Sequence, residues 1–600
     1  MESTTTMEAA GQAVDASTLT EALRRTAANH PEVVAVRMPD DSISLTWAQL
    51  LERVDALAGG LAKLGVRHGD RVAIMLSNRP EFPIADLAAV TLGATPFSIY
   101  VTYPAAEIEY LCSDSGARVA IVEQAFLPVL LEARKNLPGL EHVIVVDGEA
   151  PDAVLALADV EGSDPEFDGA AAAAQVSPQD VLTLIYTSGT TGHPKGVELT
   201  HHAAMFTAQK LQEVIELPPG SRVISWLPSA HIAERMAHHY IPVMYAGTVT
   251  CAPNPRDVLS YLPQVRPTWF FAVPRIWEKL KAGLEAMQAA QPEEQRQPVQ
   301  VALAASLERV RLRQQGKPVP PALEAQVAHA DEHIFSKLRE MLGLDQAIAV
   351  NVGAVPTPVP VLELFQALGI ELAELWGMSE TCGTGTVNRP GKVRIGTVGP
   401  ASPGVELKLA EDGEVLCRGE FLMSGYRNQP DKTAEAIDSD GWMHTGDIGT
   451  IDADGFLKIV DRKKELIINA AGKNMSPANI EAAVKSGSPL IGQACCIGDA
   501  RPYNTALIVL DSDFAPGWAE QQGLGGKTLE DLATEPKMIE AVQAGVDNAN
   551  QHLARVEQIK RFTIVRGDWL PGGDELTPTI KLKRKPIAQK YAAEIEALYA

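Results

Sequence analysis

The sequence predicts an α/β protein whose large first domain carries helix-covered, mostly parallel sheets. Three observations predict it. Six hundred residues are too many for one core. Short apolar runs, Val72–Leu76, Val119–Val122, Val143–Val146 and Val181–Ile185, alternate with helical stretches, the pattern of parallel strands under helices. Beyond a burst of charge at Asp461-Arg462-Lys463-Lys464-Glu465 the chain changes to short strands mixed with helices, so a second domain starts there.

Residues 1–16 are small and polar and read as a disordered tail. Leu19 begins a helix, and Thr46 is the expected N-cap of the next, whose Leu and Ala positions run to Leu64. Asn78–Phe82 opens a further helix after the strand at Val72. Val181–Ile185 is a buried strand feeding Tyr186-Thr187-Ser188-Gly189-Thr190-Thr191-Gly192-His193-Pro194-Lys195-Gly196. Glycines let backbone N–H groups approach oxygens, hydroxyls donate, and the lysine adds a point charge, so the loop suits a polyphosphate. A Gly/Thr-rich surface turn is the plainer alternative, but so long a string seldom arises by chance. The P-loop signature is excluded, because Pro194 and Gly196 flank Lys195 and a helix would not start on it.

Trp226-Leu227-Pro228 leads from the strand Val223–Ser225 to His231, at the C-terminal sheet edge where open α/β sheets bind ligands. A lone histidine is as often a satisfied structural residue. Val273-Pro274-Arg275-Ile276-Trp277-Glu278-Lys279 precedes residues 280–345, a helical insertion rich in Gln, Ala, Glu and Arg. It reads as a lid or membrane-facing element, or more simply as a solvated helical excursion. Ile348–Pro356 is a strand entering a glycine turn at Val352-Gly353, and both residues, with Trp226, are candidates for a substrate pocket. Trp376-Gly377-Met378-Ser379-Glu380 brings together an aromatic that can stack on a base, a hydroxyl for a phosphate and a carboxylate for Mg2+. Asp447 in a Gly-Asp turn can accept from ribose hydroxyls. Near the end, Thr577-Pro578-Thr579-Ile580-Lys581 runs into a basic cluster that would ordinarily be a solvated face.

Together these strings resemble, in order and over almost the whole chain, the adenylate-forming enzymes: acyl-CoA synthetases, luciferases and peptide-synthetase adenylation domains. His231–Arg235 and Val273–Lys279 resemble the long-chain fatty acid–CoA ligase branch. The resemblance implies an AMP-binding domain over 17–462 with a small distorted β-barrel, and an α+β mobile lid over 463–600. It implies that Thr187, Ser188, Gly189, Thr190, Thr191, Gly192 and Lys195 hold ATP phosphates, with Gly353, Trp376, Gly377 and Ser379 beside the nucleotide and Glu380 on Mg2+. It assigns Asp447 to the ribose, Arg462 to the nucleotide, Lys464 to the hinge and Gly472 to the coenzyme A channel. His231 would line the place where acyl group and pantetheine meet. Lys581, Lys195, Glu380 and Thr187 are the implied catalytic set, with Lys583 and Lys585 as alternatives to Lys581. Trp376, Ser379 and Ala471 depart from the family's usual Tyr, Thr and Gly.

The implied activity joins a medium- or long-chain fatty acid to coenzyme A through an acyl-adenylate. An aryl or sterol-side-chain acid, or a carrier-protein acceptor, is the alternative. A non-enzymatic nucleotide- or membrane-binding module is disfavoured, since it would need no Lys581. A net charge of −24 speaks against nucleic-acid partners. Six cysteines without metal spacing read as reduced cytosolic thiols. The N-terminus lacks a signal-peptide pattern, and no run of 18 apolar residues exists, so a cytoplasmic protein is expected. A peripheral contact with the inner face of the membrane and a homodimer are both left open.

Overall fold

The computed structural model describes residues 12–187, 193–470 and 473–600. Arg71–Met75 lies centrally in the largest sheet, parallel to Thr95–Ser98 on one side and Ala117–Val122 on the other. The parallel order continues outward to Val181–Thr187 one way and to His142–Val145 and Leu155–Ala156 the other. These strands are apolar on both faces because helices cover both. Val181–Thr187 then folds back as antiparallel Lys195–Thr200, with Thr187 opposite Lys195. Lys195 therefore opens a strand, as its proline and glycine neighbours imply. Gly425–Tyr426 joins the far side of that strand.

A second sheet sets Arg222–Ser225, Thr248–Cys251 and Val34–Arg37 in parallel, with Ser44–Thr46 antiparallel at the edge. Thr46 and Gln49 form a capping box on Trp47–Lys63. Trp47, Leu50, Val54, Leu57 and Leu61 then fall on one face, all buried. The third sheet has Trp269–Ala272, Ala349–Val352 and Leu372–Trp376 in parallel, with Thr386–Val387 antiparallel.

The stretch 280–345 is not a solvated excursion. It lies within Pro274–Ala289, Glu293–Gln314, Pro321–Ala330 and the helical turns to Leu342. Trp277, Leu284, Ala302, Ala330 and Phe335 share a core with Phe270, Val350 and Leu372 of the third sheet. The Ser306 hydroxyl, fully buried, donates to the Ala367 carbonyl at 2.7 Å. On the helix Glu293–Gln314 the buried residues are Val310 and the small Ala302, Ala305 and Ser306, which lets the helix approach closely but gives that stretch a weak apolar signature. Within the expected tail, Ala13 and Ala16 are buried against the first helix, and residues 1–11 lie outside the described residues.

Glu406–Leu409, Glu414–Arg418, Met443–Ile451 and Leu457–Arg462 form an antiparallel row. Among the described residues its outer strands, Glu406–Leu409 and Leu457–Arg462, are not paired with each other. After it the chain builds a separate core from Ile480, Val484, Ile508, Leu532 and Val542. There Asn504–Leu510 pairs antiparallel with Ile491–Ile497 and parallel with Ile559–Ile564. All six cysteines are free and buried.

Candidate active site

Glu380 sits in the single turn Ser379–Thr381 that follows the strand Leu372–Trp376. Gly377 makes that turn possible: a Cβ there would lie 2.2 Å from the Gly383 carbonyl oxygen. Glu380 is buried, and its Oε1 accepts the Tyr426 hydroxyl at 2.8 Å. The same Tyr426 ring lies under the Lys195 ammonium, 3.7 Å from centroid to Nζ. Tyr426 thus links the loop lysine to the candidate metal carboxylate. Sequence reasoning missed it, because the only signal is its strand's pairing with Lys195–Thr200. Thr187 leads into the loop, its hydroxyl 3.5 Å from the Lys195 carbonyl. Ser188, Gly189, Thr190, Thr191 and Gly192 lie outside the described residues, as does Gly472.

Asp447 is held between two donors. The Trp376 indole N–H reaches Oδ2 at 2.8 Å, and Arg462 Nε reaches Oδ1 at 2.8 Å. Asp447 and Arg462 are paired across adjacent strands, which fixes this approach. Each carboxylate oxygen keeps a lone pair for a ribose hydroxyl. Burial raises the Asp447 carboxyl above the usual range, against the pull of Arg462, Trp376 and Lys581. Trp376 is itself largely buried, so its edge, through N–H, is what holds the carboxylate. Ser379 is buried one residue before Glu380, and Gly353 closes the neighbouring strand end against Leu375.

Lys581 is delivered by a tight turn. Thr577 N–H donates to the Lys581 carbonyl at 2.8 Å, Ile580 N–H to the Thr577 carbonyl at 2.9 Å, and Lys581 N–H to the Thr577 hydroxyl at 3.0 Å. The turn puts Ile580 at φ +63°. The Lys581 side chain is open to solvent along the cleft yet otherwise enclosed by protein. Burial and then Arg462 lower its affinity for a proton, with Asp447 and Glu380 opposing. Lys195 is lowered too, by burial first, with Lys432 and Lys464 adding to it and Glu380 opposing. The cleft therefore gathers cations that repel one another, and a polyanion would relieve them. Lys583 is turned to the Gly573 carbonyl at 2.9 Å, and Lys585 is exposed on the helix Arg584–Lys590.

Burial and then the Lys581 charge push the His231 imidazole down to about 3, so it is neutral at physiological pH. Its Nδ1 accepts the Ala233 N–H at 3.2 Å, which leaves the proton on Nε2. The two charged residues after it turn inward. Glu234 accepts from the Leu227 N–H at 3.0 Å and the Ser225 hydroxyl at 2.6 Å, and it pairs with His238 at 2.7 Å. Arg235, fully buried, pairs with Asp86 and donates to the Ser98 hydroxyl at 2.9 Å. These two residues brace the loop that carries His231. Trp226 and Val352 sit within the apolar core. Trp226 donates to the Phe271 carbonyl at 3.2 Å, Val352 is fully buried, and both pack in the core of the third sheet.

Around Lys464 the contacts change direction. Lys463 is tied backward, by its N–H to the Gly446 carbonyl at 2.8 Å and by Nζ to Asp412 and Glu414. Glu465 is tied forward to Arg584 at 3.3 Å. Lys464 lies exposed between them.

Residues 23–427 match the AMP-binding enzyme family, and residues 464–600 match the AMP-binding enzyme C-terminal domain. The chain belongs to the AMP-binding enzyme family. It is 51% identical over 426 residues to FadD11 of Mycobacterium tuberculosis, named a fatty-acid–CoA ligase, covering 71% of this chain and 74% of that one. It is 35% identical over 562 residues to the long-chain-fatty-acid–CoA ligase FadD15 of Mycobacterium bovis, covering 92% of both. The human long-chain-fatty-acid–CoA ligase ACSBG1 is 31% identical, over 93% of this chain and 81% of its own. Among solved structures, the adenylation domain of a Mycobacterium chelonae carboxylate reductase superposes with a TM-score of 0.75 at 20% identity. That match covers 98% of this chain and 92% of the other, and it speaks to the fold alone. Among the described residues no helix is long and apolar enough to cross a membrane.

Proposed function

We propose that this enzyme is an AMP-forming fatty-acid–CoA ligase. The observation that carries the reading is the meeting of Lys195, Glu380, Asp447, Arg462 and Lys581, from separate stretches of sequence, in one cation-rich cleft. The curated relatives' names supply the acid and the acceptor.

In the first half-reaction the fatty acid carboxylate attacks the α-phosphorus of ATP, and the bond to the β-phosphate oxygen breaks, releasing pyrophosphate. The reactants are all anions, so the protein's task is to hold them together and neutralise the charge that builds up. Lys581 bridges carboxylate and α-phosphate, Lys195 meets the outer phosphates with the hydroxyls of Thr187–Thr191, and Asp447 with Arg462 fixes the ribose. Glu380 suits Mg2+: its Oε1 is engaged by Tyr426 and Oε2 is a hard oxygen donor, and this ion commonly takes one or two carboxylates beside phosphate oxygens and water. Bound there, Mg2+ would shield phosphate charge. In the second half-reaction the coenzyme A thiol attacks the acyl carbon, AMP leaves and the thiol proton is lost. Neutral His231 stands beside Lys581, where acyl group and thiol would meet. The lid, residues 463–600, turns about Lys464 between the steps and excludes water from the labile mixed anhydride. The acid would reach the cleft by peripheral contact with the inner face of the membrane.

The test is AMP and thioester formation across straight-chain acids, with aryl and sterol-side-chain acids as competitors. Thioester formation peaking between octanoate and palmitate is expected, and adenylate without thioester would point to a carrier-protein acceptor. Lys581→Ala should slow adenylate formation by about 10²–10³-fold while supplied acyl-adenylate is still converted to thioester. Equal loss of both steps would overturn the role given to Lys581.

A further inference from the structure

The Val273–Lys279 segment has no place in the chemistry above, yet two of its side chains leave the first domain. The helix Pro274–Ala289 follows the third sheet's first strand and turns Arg275 and Lys279 toward the C-terminal domain. Arg275 pairs with Asp511 and is steadied by Glu278 at 3.4 Å. Lys279 Nζ pairs with Asp513 at 2.5 Å. Asp511 and Asp513 follow directly on the central C-terminal strand Asn504–Leu510. Asp511 is nearly buried, and its other oxygen accepts from the N–H groups of Asp513 and Phe514 at 3.0 Å, where the helix Phe514–Gln521 begins. This carboxylate is thus pre-aimed: one oxygen is fixed by its own domain and the other faces Arg275 across the domain junction. Glu278 and Arg256 are the other charges that meet this cluster.

The pairs exist with Lys581 in the cleft. Turning the C-terminal domain about Lys464 to withdraw Lys581 would carry Asp511 and Asp513 away from a helix fixed to the third sheet. We propose that Arg275 and Lys279 form an ionic latch with Asp511 and Asp513, holding the lid in the adenylate-forming pose, and that these are positioning residues for Lys581. The latch rests on the two-step reading above. It biases one pose against the other, so it acts on the first half-reaction and not on the second. Because Lys279 and Asp513 are partly exposed, their share is modest and sensitive to salt; Arg275 and Asp511 are better shielded.

Two measurements test it. Lys279→Ala with Arg275→Gln should lower pyrophosphate release by about three- to tenfold, with thioester formation from supplied acyl-adenylate unchanged or faster. The reversed pair, Lys279→Asp with Asp513→Lys, should recover most of the first rate, whereas either reversal alone should not. Equal loss in both steps, no loss, or no recovery on reversal would overturn the latch. The second measurement needs no activity. The native cysteines are all buried, so in Lys279→Cys with Asp513→Cys a short bis-maleimide should join the two new thiols in the resting protein. Failure to cross-link would overturn the latch even if the unmodified protein proved to act on other acids. The cross-linked protein should make adenylate and pyrophosphate but no thioester; retention of both steps would equally overturn it. A cross-linking protein that makes no adenylate from any fatty acid would sink the proposed function and leave the contact standing.

Discussion

At the scale of single residues, the site shows local rules being broken next to the chemistry. Ile580 is β-branched and carries φ +63°, a region that costs a non-glycine residue about 1–2 kcal/mol. The turn from Thr577 to Lys581 holds it there with three hydrogen bonds, so the strain is spent aiming the lysine. Ile580→Gly should relieve it. The added freedom of the unfolded glycine takes back about 0.5–1 kcal/mol, leaving a net gain of up to about 1.5 kcal/mol. The denaturant midpoint of the C-terminal domain checks this, and the same variant should make adenylate more slowly because the turn is looser. A lower midpoint would mean that Ile580 packs more than it strains. Tyr426 illustrates the opposite economy, one side chain serving Lys195 with its ring and Glu380 with its hydroxyl.

At the scale of elements, the strands that feed the cleft are anchored from below by buried polar groups. Arg235 and His239 both pair with Asp86 on Glu81–Thr91, so the turn after His231 is tied to a helix of the first sheet. His201 does similar work elsewhere. It opens the helix His201–Leu211, and its Nδ1 accepts the Leu19 N–H at 3.1 Å, fastening the first helix of the chain. Burial pushes its imidazole down to about 4, against Asp180 and Asp86. The unfolded ring takes a proton near pH 6.5 and the folded one resists until about 4, so the stabilisation is complete above 6.5 and lost as pH falls through that window. The full swing is about 3 kcal/mol. Denaturant midpoints between pH 7 and pH 4 should fall accordingly, and His201→Asn should reduce the slope by about one proton. An unchanged slope would contradict the assignment.

At the scale of the whole molecule, what the sequence made legible was what is local. The apolar runs became strands, Thr46 became a cap, and Lys195 opened a strand because proline and glycine flank it. Within the charge burst, Lys463 pairs with Glu414 and Glu465 with Arg584. What stayed hidden depends on long-range pairing. Tyr426 reaches Glu380 across 46 positions, and Lys279 reaches Asp513 across 234. The helices at 280–345 misled because their buried positions, Leu284, Ala302, Ala305, Val310 and Phe335 among them, are scattered among Gln, Glu and Arg and make no continuous apolar stripe in the sequence.

The buried cysteines have a bearing on the redox life of the enzyme. Disulfide exchange requires an accessible thiolate. Burial raises Cys112, Cys382, Cys417 and Cys495 to about 12, and Cys251 and Cys496 are raised as well. An enzyme that handles a thiol co-substrate meets that molecule's oxidised disulfide too, and each encounter offers a mixed disulfide. This protein presents no partner for one, so incubation with oxidised coenzyme A should leave its intact mass unchanged until it unfolds. Its throughput would then follow the supply of reduced thiol and not the oxidation state of the protein.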